Sequence, residues 1–510
     1  MEDMSAQQEA GGLSPRAVDS DRALTRLGHL LEDDGTLVMV IAAFAVAMLT
    51  ALRTGVAADG WLVLLAGREI VRSGLPSHDA LTIWTHGRQW TDQQWLSQLS
   101  FYGLWRLGGL KLAMLAHAAL AIGGLAAAAA LARRIGGSAR SATWIALPVL
   151  ICYYPAAAVM RPQSLAYPLF VAVLWLLACD ARQPSRRVFM TLPLLVLWAN
   201  LHGSVILGAG LVALAGVVDL GKGLVADRRV GGRAAALVLA PWVCVLVSPY
   251  ALELPRYYDT VTLKGGFSSF VTEWAPTTLS PVTAPFYLLV LGGMWLLGRS
   301  GGRLTVFERL ALLATALLGF QANRNITWFA LVALAVLPVL VDELRPAAVE
   351  PRRLNRMLAT VVLAGALVAA AAVATKDKAW FLQDFPPRAA AAVSAAAGPS
   401  GTVLATSSYA DWLLWTRPEL AGRVAFDSRF ELLTKAQLRR AQRVLARAQG
   451  WQSVARRYTV LVIDKNDDSA LRASLVGLGI ARVVRVDGNV VVLRTVGHLR
   501  TTQQSSAPAG

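Results

Sequence analysis

Residues 59–99 read DGWLVLLAGREIVRSGLPSHDALTIWTHGRQWTDQQWLSQL. The stretch carries Asp59, Glu69, Asp79 and Asp92 together with Trp61, Trp84, Trp90 and Trp95. It sits between an apolar run that begins near Thr36 and a second that begins near Leu110, and apolar runs fill most of the next 260 residues. A polar, aromatic connection of this size therefore reads as a large first loop between membrane spans.

Composition supports that reading. Of 510 residues, 55% are hydrophobic and only 16% charged, whereas a soluble protein carries about 25% charge. Stretches such as 112–131 and 188–218 contain no Asp, Glu, Lys or Arg, and a span needs roughly 20 mostly apolar residues. The three cysteines, Cys152, Cys179 and Cys244, lie inside apolar runs and read as small hydrophobes, not as disulfides or ligands. The net charge of +17 falls largely in short connections between apolar runs, as the positive-inside bias requires. It does not point to nucleic acid.

The expected fold class is a polytopic α-helical membrane protein with a small C-terminal α/β domain. Eleven spans are expected, over 36–53, 110–132, 141–159, 163–179, 188–200, 203–219, 234–250, 283–298, 305–321, 325–342 and 355–375. Residues 1–35 read as a flexible cytoplasmic N-terminus, and the first run as an uncleaved signal-anchor. Alternate connections carry Arg133, Arg134 and Arg140, then Arg182, Arg186 and Arg187, then Lys222, Arg228, Arg229 and Arg233, then Arg299 and Arg303, then Arg345, Arg352, Arg353 and Arg356. The opposite short connections carry Arg161, none near Asn200, and Arg324. This asymmetry puts the N-terminus inside, and both the first loop (54–109) and the C-terminal domain outside. The pair 188–200 and 203–219 is interrupted by Asn200-Leu201-His202-Gly203 and is expected as two short helices meeting at an outer re-entrant turn.

Residues 376–400 form an Ala-rich linker, and 401–497 alternate strands with helices as a small α/β domain does. Strands are expected at 402–406, 423–426, 460–463, 481–486 and 490–493, and helices at 435–448 and 470–478. From residue 398 onward there are 16 Lys/Arg against 8 Asp/Glu, a basic surface suited to membrane lipid headgroups or a phosphate-bearing substrate. The tail, 498–510, reads as disordered.

Several outer residues could carry chemistry. Asp59 follows the first span at the lipid–water boundary, and Asp92 is bracketed by Trp90 and Trp95. Those rings could stack a sugar or anchor the interface. Arg161 and Arg324 are ionisable groups at a membrane boundary without an obvious local partner, and a guanidinium fork suits phosphate. His202 lies in the broken pair, and Glu273 adjoins Trp274. With Glu69 and Asp79 they complete the candidate set. No HExxH or CxxC motif occurs and six His are scattered, so no metal ligands and no cofactor are assigned. A divalent cation would be compatible with a phosphate donor.

These pieces, in order, resemble a bacterial family of GT-C-like membrane glycosyltransferases. They are Asp59-Gly60-Trp61, Gly67-Arg68-Glu69-Ile70, Gly74-Leu75-Pro76 with Asp79, Trp90-Thr91-Asp92-Gln93-Gln94-Trp95-Leu96, Arg161-Pro162-Gln163, Trp198-Ala199-Asn200-Leu201-His202-Gly203, Ser248-Pro249-Tyr250 and Glu273-Trp274. Asp411-Trp412-Leu413-Leu414-Trp415 and Asp427-Ser428-Arg429-Phe430-Glu431 follow. The chain departs from the pattern at Val63, where relatives often carry His, and at Gln94, where they often carry Glu. The resemblance implies an inverting enzyme of the bacterial cytoplasmic (inner) membrane. Such an enzyme takes a sugar from a polyprenyl phosphate and passes it to a glycan, lipid or protein acceptor on the outer face. Asp59 and Asp92 are then the catalytic carboxylates, and Glu69, Asp79, Trp90, Trp95, Arg161, His202, Glu273 and Arg324 bind substrate. The residues themselves leave two other classes open: a non-catalytic scaffold of envelope-glycan assembly, and a transporter or flippase of lipid-linked saccharides.

Overall fold

The computed structural model describes residues 32–223, 228–263, 271–344 and 352–497. The N-terminus through residue 31 and the tail from 498 lie outside these. Helices α1 (Gly35–Ala51), α2 (Ala58–Ser73), α3 (Trp95–Arg134), α4 (Ala139–Ala157), α5 (Gln163–Arg182), α6 (Thr191–Leu201), α7 (Val205–Gly223) and α8 (Arg228–Val245) come first. A short α9 (Leu254–Tyr258) precedes α10 (Ala284–Ser300), α11 (Val306–Gln321), α12 (Ile326–Val341) and α13 (Arg352–Thr375). Helix α12 is apolar on every side and almost wholly buried, so it sits at the centre of the bundle, packed by α3, α4, α10 and α11. Outer helices expose large apolar side chains instead, such as Leu239 and Val243 on α8, Leu291 and Trp295 on α10, and Val361 and Leu367 on α13. Apolar surface of this kind suits lipid.

Among the described residues, five helical stretches are long and apolar enough to cross a membrane: Trp95–Arg134, Gln163–Arg182, Val205–Lys222, Asn323–Leu344 and Arg352–Thr375. Other apolar runs form shorter helices, including α1 and Gly231–Val245. The break at His202 is present: α6 ends at Leu201 and α7 starts at Val205. With 11 residues, α6 reaches only about 16 Å, too short to span alone.

The first loop is more structured than its polarity suggests. All of 58–73 is helix α2. The end of the loop forms the first turns of α3, which kinks at Gly108 and Gly109, the latter at φ 68°. Between them, 77–90 make a hairpin: Trp90 N donates to Ser77 O, Asp79 N to Arg88 O and Gly87 N to Asp79 O. Helix α2 lies tight on α3, because a Cβ on Gly67 would come within 2.4 Å of Gln98 O and 2.6 Å of Tyr102 Cβ.

The C-terminal region holds α14 (Lys378–Phe381), α15 (Pro387–Ala397), β1 (Val403–Ala405), α16 (Ser407–Thr416), α17 (Lys435–Leu445), α18 (Trp451–Ala455), β2 (Val460–Asp464), α19 (Ser469–Gly477), β3 (Ala481–Asp487) and β4 (Val490–Thr495). The sheet order is β1-β2-β4-β3, with β1 and β2 parallel and the rest antiparallel. The Ala-rich segment is an integral helix: Ala389, Ala390 and Val393 of α15 are fully buried and α15 packs on β2, β3 and β4. The expected strand at 423–426 makes only isolated bridges, Val424 pairing with Val403 of β1 on one side and with Thr82 of the first loop on the other. Ile83 N and Trp84 N donate to Val424 O and Ala425 O. The first loop thus extends the C-terminal sheet. A shared core reinforces the join, with Trp61, Leu64 and Leu65 of α2 clustering with Phe385, Trp412, Val460 and Val490.

Candidate active site

Three turns converge beside the N-terminus of α2. The turn between α4 and α5 is tied there by Met160 N donating to Gly55 O, 2.9 Å. The turns at 272–275 and 323–325 are tied to each other, since Asn323 N donates to Ala275 O (3.1 Å) and Asn323 Nδ2 to Thr272 O (2.9 Å). These ties set Arg161 between two carboxylates. Its Nη1 and Nη2 bond Glu273 Oε2 and Oε1 at 2.8 and 2.5 Å, and its Nε lies 3.2 Å from Asp59 Oδ2. Asp59 occupies the first turn of α2, where the helix dipole favours an anion. Arg324 lies 4.2 Å above the Trp274 ring, a stacking contact that holds a desolvated cation in place. Burial would raise the Glu273 carboxyl, but Arg161 and then Arg324 outweigh it and hold the carboxyl below its usual range.

A second polar group adjoins this one at the seam between first loop and C-terminal region. Tyr257 joins them: its hydroxyl donates to Gln93 Oε1 at 3.3 Å, and it lies within the fields of Arg324, Asp92 and Glu431. Asp92 is buried, and its Oδ1 accepts from Gln98 Nε2 at 2.7 Å. Burial, only partly offset by Gln98 and Arg429, pushes its carboxyl up to about 7. Glu431, half-buried, is likewise pushed up to about 7, by burial first and with Asp427 and Asp92 adding. His202 accepts from Ser204 N at its Nδ1 (3.1 Å), which puts the proton of the neutral ring on Nε2. Burial, with Arg324 and Arg161 nearby, lowers it to about 3.

No protein-family model matches the chain, and no curated protein does. Solved structures do. The ArnT of Cupriavidus metallidurans bound to undecaprenyl phosphate aligns over 89% of this chain and 98% of its own, at 16% identity and a TM-score of 0.46. Its apo form gives the same identity and score. The apo oligosaccharyltransferase of Archaeoglobus fulgidus aligns over 86% of this chain and 71% of its own, at 12% identity and a TM-score of 0.51. The chain has a GT-C-like fold.

On this GT-C-like frame the expected residues separate into two sets. Asp59, Arg161, Glu273, Arg324 and His202 come together at these turns, with Asp92 in the adjoining seam. Trp95 borders it, its Nε1 donating to Asn200 Oδ1 at 2.9 Å, and faces an open apolar groove of about 650 Å3 lined also by Leu96, Val196, Leu197, Val247 and Pro249. Three expected substrate binders lie elsewhere. Glu69 stands ten residues beyond Asp59, about 15 Å along α2, and pairs with Arg68 and Arg72. Asp79 is buried and pairs with Arg429 Nη2 at 2.6 Å, accepting also from Thr82 and Thr85. Trp90 is 5% exposed, with Arg429 lying 4.3 Å over its ring, so that face cannot stack a sugar. These three fasten the first loop to itself and to the C-terminal region.

Gln93, Tyr257 and Glu431 join the site from outside the expected set. Glu431 belongs to the Asp427–Glu431 segment, but nothing local to it signals that it lies within the electrostatic reach of Asp92. Among the described residues no three His, Cys, Asp or Glu gather as a metal site.

Proposed function

We propose that the protein is a membrane glycosyltransferase of the GT-C kind. It takes a sugar from a polyprenyl phosphate and passes it to a hydroxyl of a glycan, lipid or protein acceptor. The reaction runs on the outer face of the bacterial inner membrane, with the N-terminus inside and the C-terminal domain outside. The observation that carries this reading is the Asp59–Arg161–Glu273 triad beside Arg324. Two guanidiniums side by side match a departing phosphate, on which negative charge grows as the sugar–oxygen bond breaks. A carboxylate 3.2 Å from one of them supports a base for the acceptor hydroxyl close to the phosphate. In the reaction so read, the acceptor oxygen bonds the anomeric carbon, the bond from that carbon to phosphate oxygen breaks, Asp59 takes the hydroxyl proton, and polyprenyl phosphate leaves. The attack comes opposite the leaving group, which inverts the centre. The apolar groove bordered by Trp95 offers a path for the isoprenoid chain.

Lipid binding tests the phosphate role. In detergent micelles, native mass spectrometry of the protein with undecaprenyl phosphate is expected to show binding. Arg161→Ala and Arg324→Ala should each weaken it at least tenfold. Equal binding by the wild type and both variants would remove the guanidiniums from the phosphate site.

A further inference from the structure

Residues 432–459 hold seven Lys/Arg and no Asp or Glu, and they carry α17 and α18. Lys435, Arg439 and Arg443 of α17 are exposed. They fall four residues apart, so they line one side of the helix with a charge about every 6 Å. The stripe works against the helix that bears it. Lys435 sits in the first turn, where the dipole favours an acid, and like charges four residues apart repel. Even the capping box at Thr434 closes with Gln437, where the box of α11 uses Glu308. The position of α17 is equally specific. Its Leu438 and Val444 pack on the side of the sheet that bears Leu461 and Leu493. Val460 and Val492 point to the opposite side, where the core continues through α15 and α16 into α2 and α3. The sheet thus stands between α17 and the transmembrane bundle, and the stripe faces away from the bundle.

We infer that the Lys435–Arg439–Arg443 stripe of α17 is a docking surface for an acidic glycan, a sugar chain that carries carboxylates at regular intervals. Guanidinium forks suit carboxylates, and a regular row of cations without intervening acids suits a polymer more than a single ion. A partner in water, not the headgroups beside the bundle, fits the far side of the sheet. The two rings of this segment, Trp451 and Tyr458, are buried, so the face has no platform on which a nucleic-acid base could stack. The inference takes only the outer placement of the domain from the reading above and does not rest on the transferase reaction.

The probe is fluorescently labelled polygalacturonate, with neutral dextran as its control. Binding to the full chain in nanodiscs of zwitterionic lipid is read by fluorescence anisotropy. The wild type should bind polygalacturonate and not dextran, and added salt should weaken the binding. Lys435→Gln, Arg439→Gln and Arg443→Gln combined should weaken it at least tenfold. The melting temperature of that variant should stay equal or rise, since the stripe works against its helix. A second variant removes the same charge elsewhere, by Arg388→Gln, Arg482→Gln and Arg494→Gln, all exposed, on α15, β3 and β4. It should change binding less than twofold. No binding by the wild type overturns the proposal. So do equal losses in the two variants, which would make net charge alone responsible, and a lowered melting temperature in the first, which would make the stripe structural. Stripe-dependent capture of the nanodiscs by vesicles rich in phosphatidylglycerol, without binding of polygalacturonate, would assign the face to a lipid surface and overturn the glycan.

Discussion

Replacing Arg429 by Met should detach the first loop from the C-terminal domain in a pH-dependent way. Arg429 is 1% exposed as a side chain and pairs with Asp79 (0%) at 2.6 Å and Asp427 (3%) at 2.5 Å. Met keeps much of the volume but leaves two carboxylates buried without a counter-charge. Removing one partner of a buried pair costs about 3–5 kcal/mol. In the native protein burial would raise the Asp79 carboxyl, yet Arg429, Thr85 and the Leu81 N–H hold it below its usual value. A depressed carboxyl contributes stability above its unfolded value of about 3.9, lost only as pH falls through the lower folded value. In the Met variant the sign reverses: burial of Asp79 is no longer offset by a counter-charge, its carboxyl rises, and the deficit grows with pH. Thermal unfolding followed by tryptophan fluorescence should therefore show a loss that is larger at pH 8 than at pH 5. Asp79→Asn placed in the Met background should recover part of it, a coupling of about 0.5–3 kcal/mol. A loss no greater than that of the exposed Arg439→Ala, or one independent of pH, would refute the reasoning.

Other outcomes follow from the same geometry. Asp92, raised by burial to about 7, binds a proton more tightly folded than unfolded, so it lowers stability as pH climbs from about 4 to about 7; Asp92→Asn should flatten that part of the stability–pH curve measured by urea unfolding. His202, held near 3, stays neutral across the working range. Any inflection in activity near pH 7 should therefore persist in His202→Asn and disappear only when both Asp92 and Glu431, each raised to about 7, are replaced by amides. Gly67→Ala puts a methyl where 2.4 Å separates it from the α3 backbone; overpacking of this kind costs about 1–3 kcal/mol and should appear as a lower melting temperature with weakened contact between α2 and α3. Arg161→Lys keeps the charge but loses the fork that grips Glu273, and should lower turnover far more than it lowers lipid binding.

Much of this architecture could be read from residues near one another in sequence. The apolar run of α12, the break at His202 and the helix-ending turns that hold Arg161, Glu273 and Arg324 all follow from local pattern, as polar interruptions between apolar runs. The roles of Asp79, Trp90 and Glu69 do not. Arg429, which covers Trp90 and neutralises Asp79, lies 350 residues downstream of Asp79, and Trp415, whose carbonyl accepts from Arg68 beside Glu69, lies 347 beyond Arg68. A buried acid with a distant partner looks the same in sequence as an acid awaiting substrate. Residues 423–426 alternate like a strand, but their partners are Val403 and a loop that polarity alone marks as irregular. The number of membrane crossings shares that limit, since apolar content does not distinguish a full span from a short helix buried in a bundle.

The central claim is that Asp59, beside Arg161, serves transfer from a lipid phosphate. The most direct measurement incubates the purified protein in lipid with radiolabelled polyprenyl-phosphate sugars and envelope-derived acceptors, in parallel with Asp59→Asn. The account predicts label in a new product with the wild type and a rate at least 100-fold lower with the variant, in line with the about 10²–10⁴ supplied by a positioned base. Transfer at an equal rate by Asp59→Asn would contradict the account.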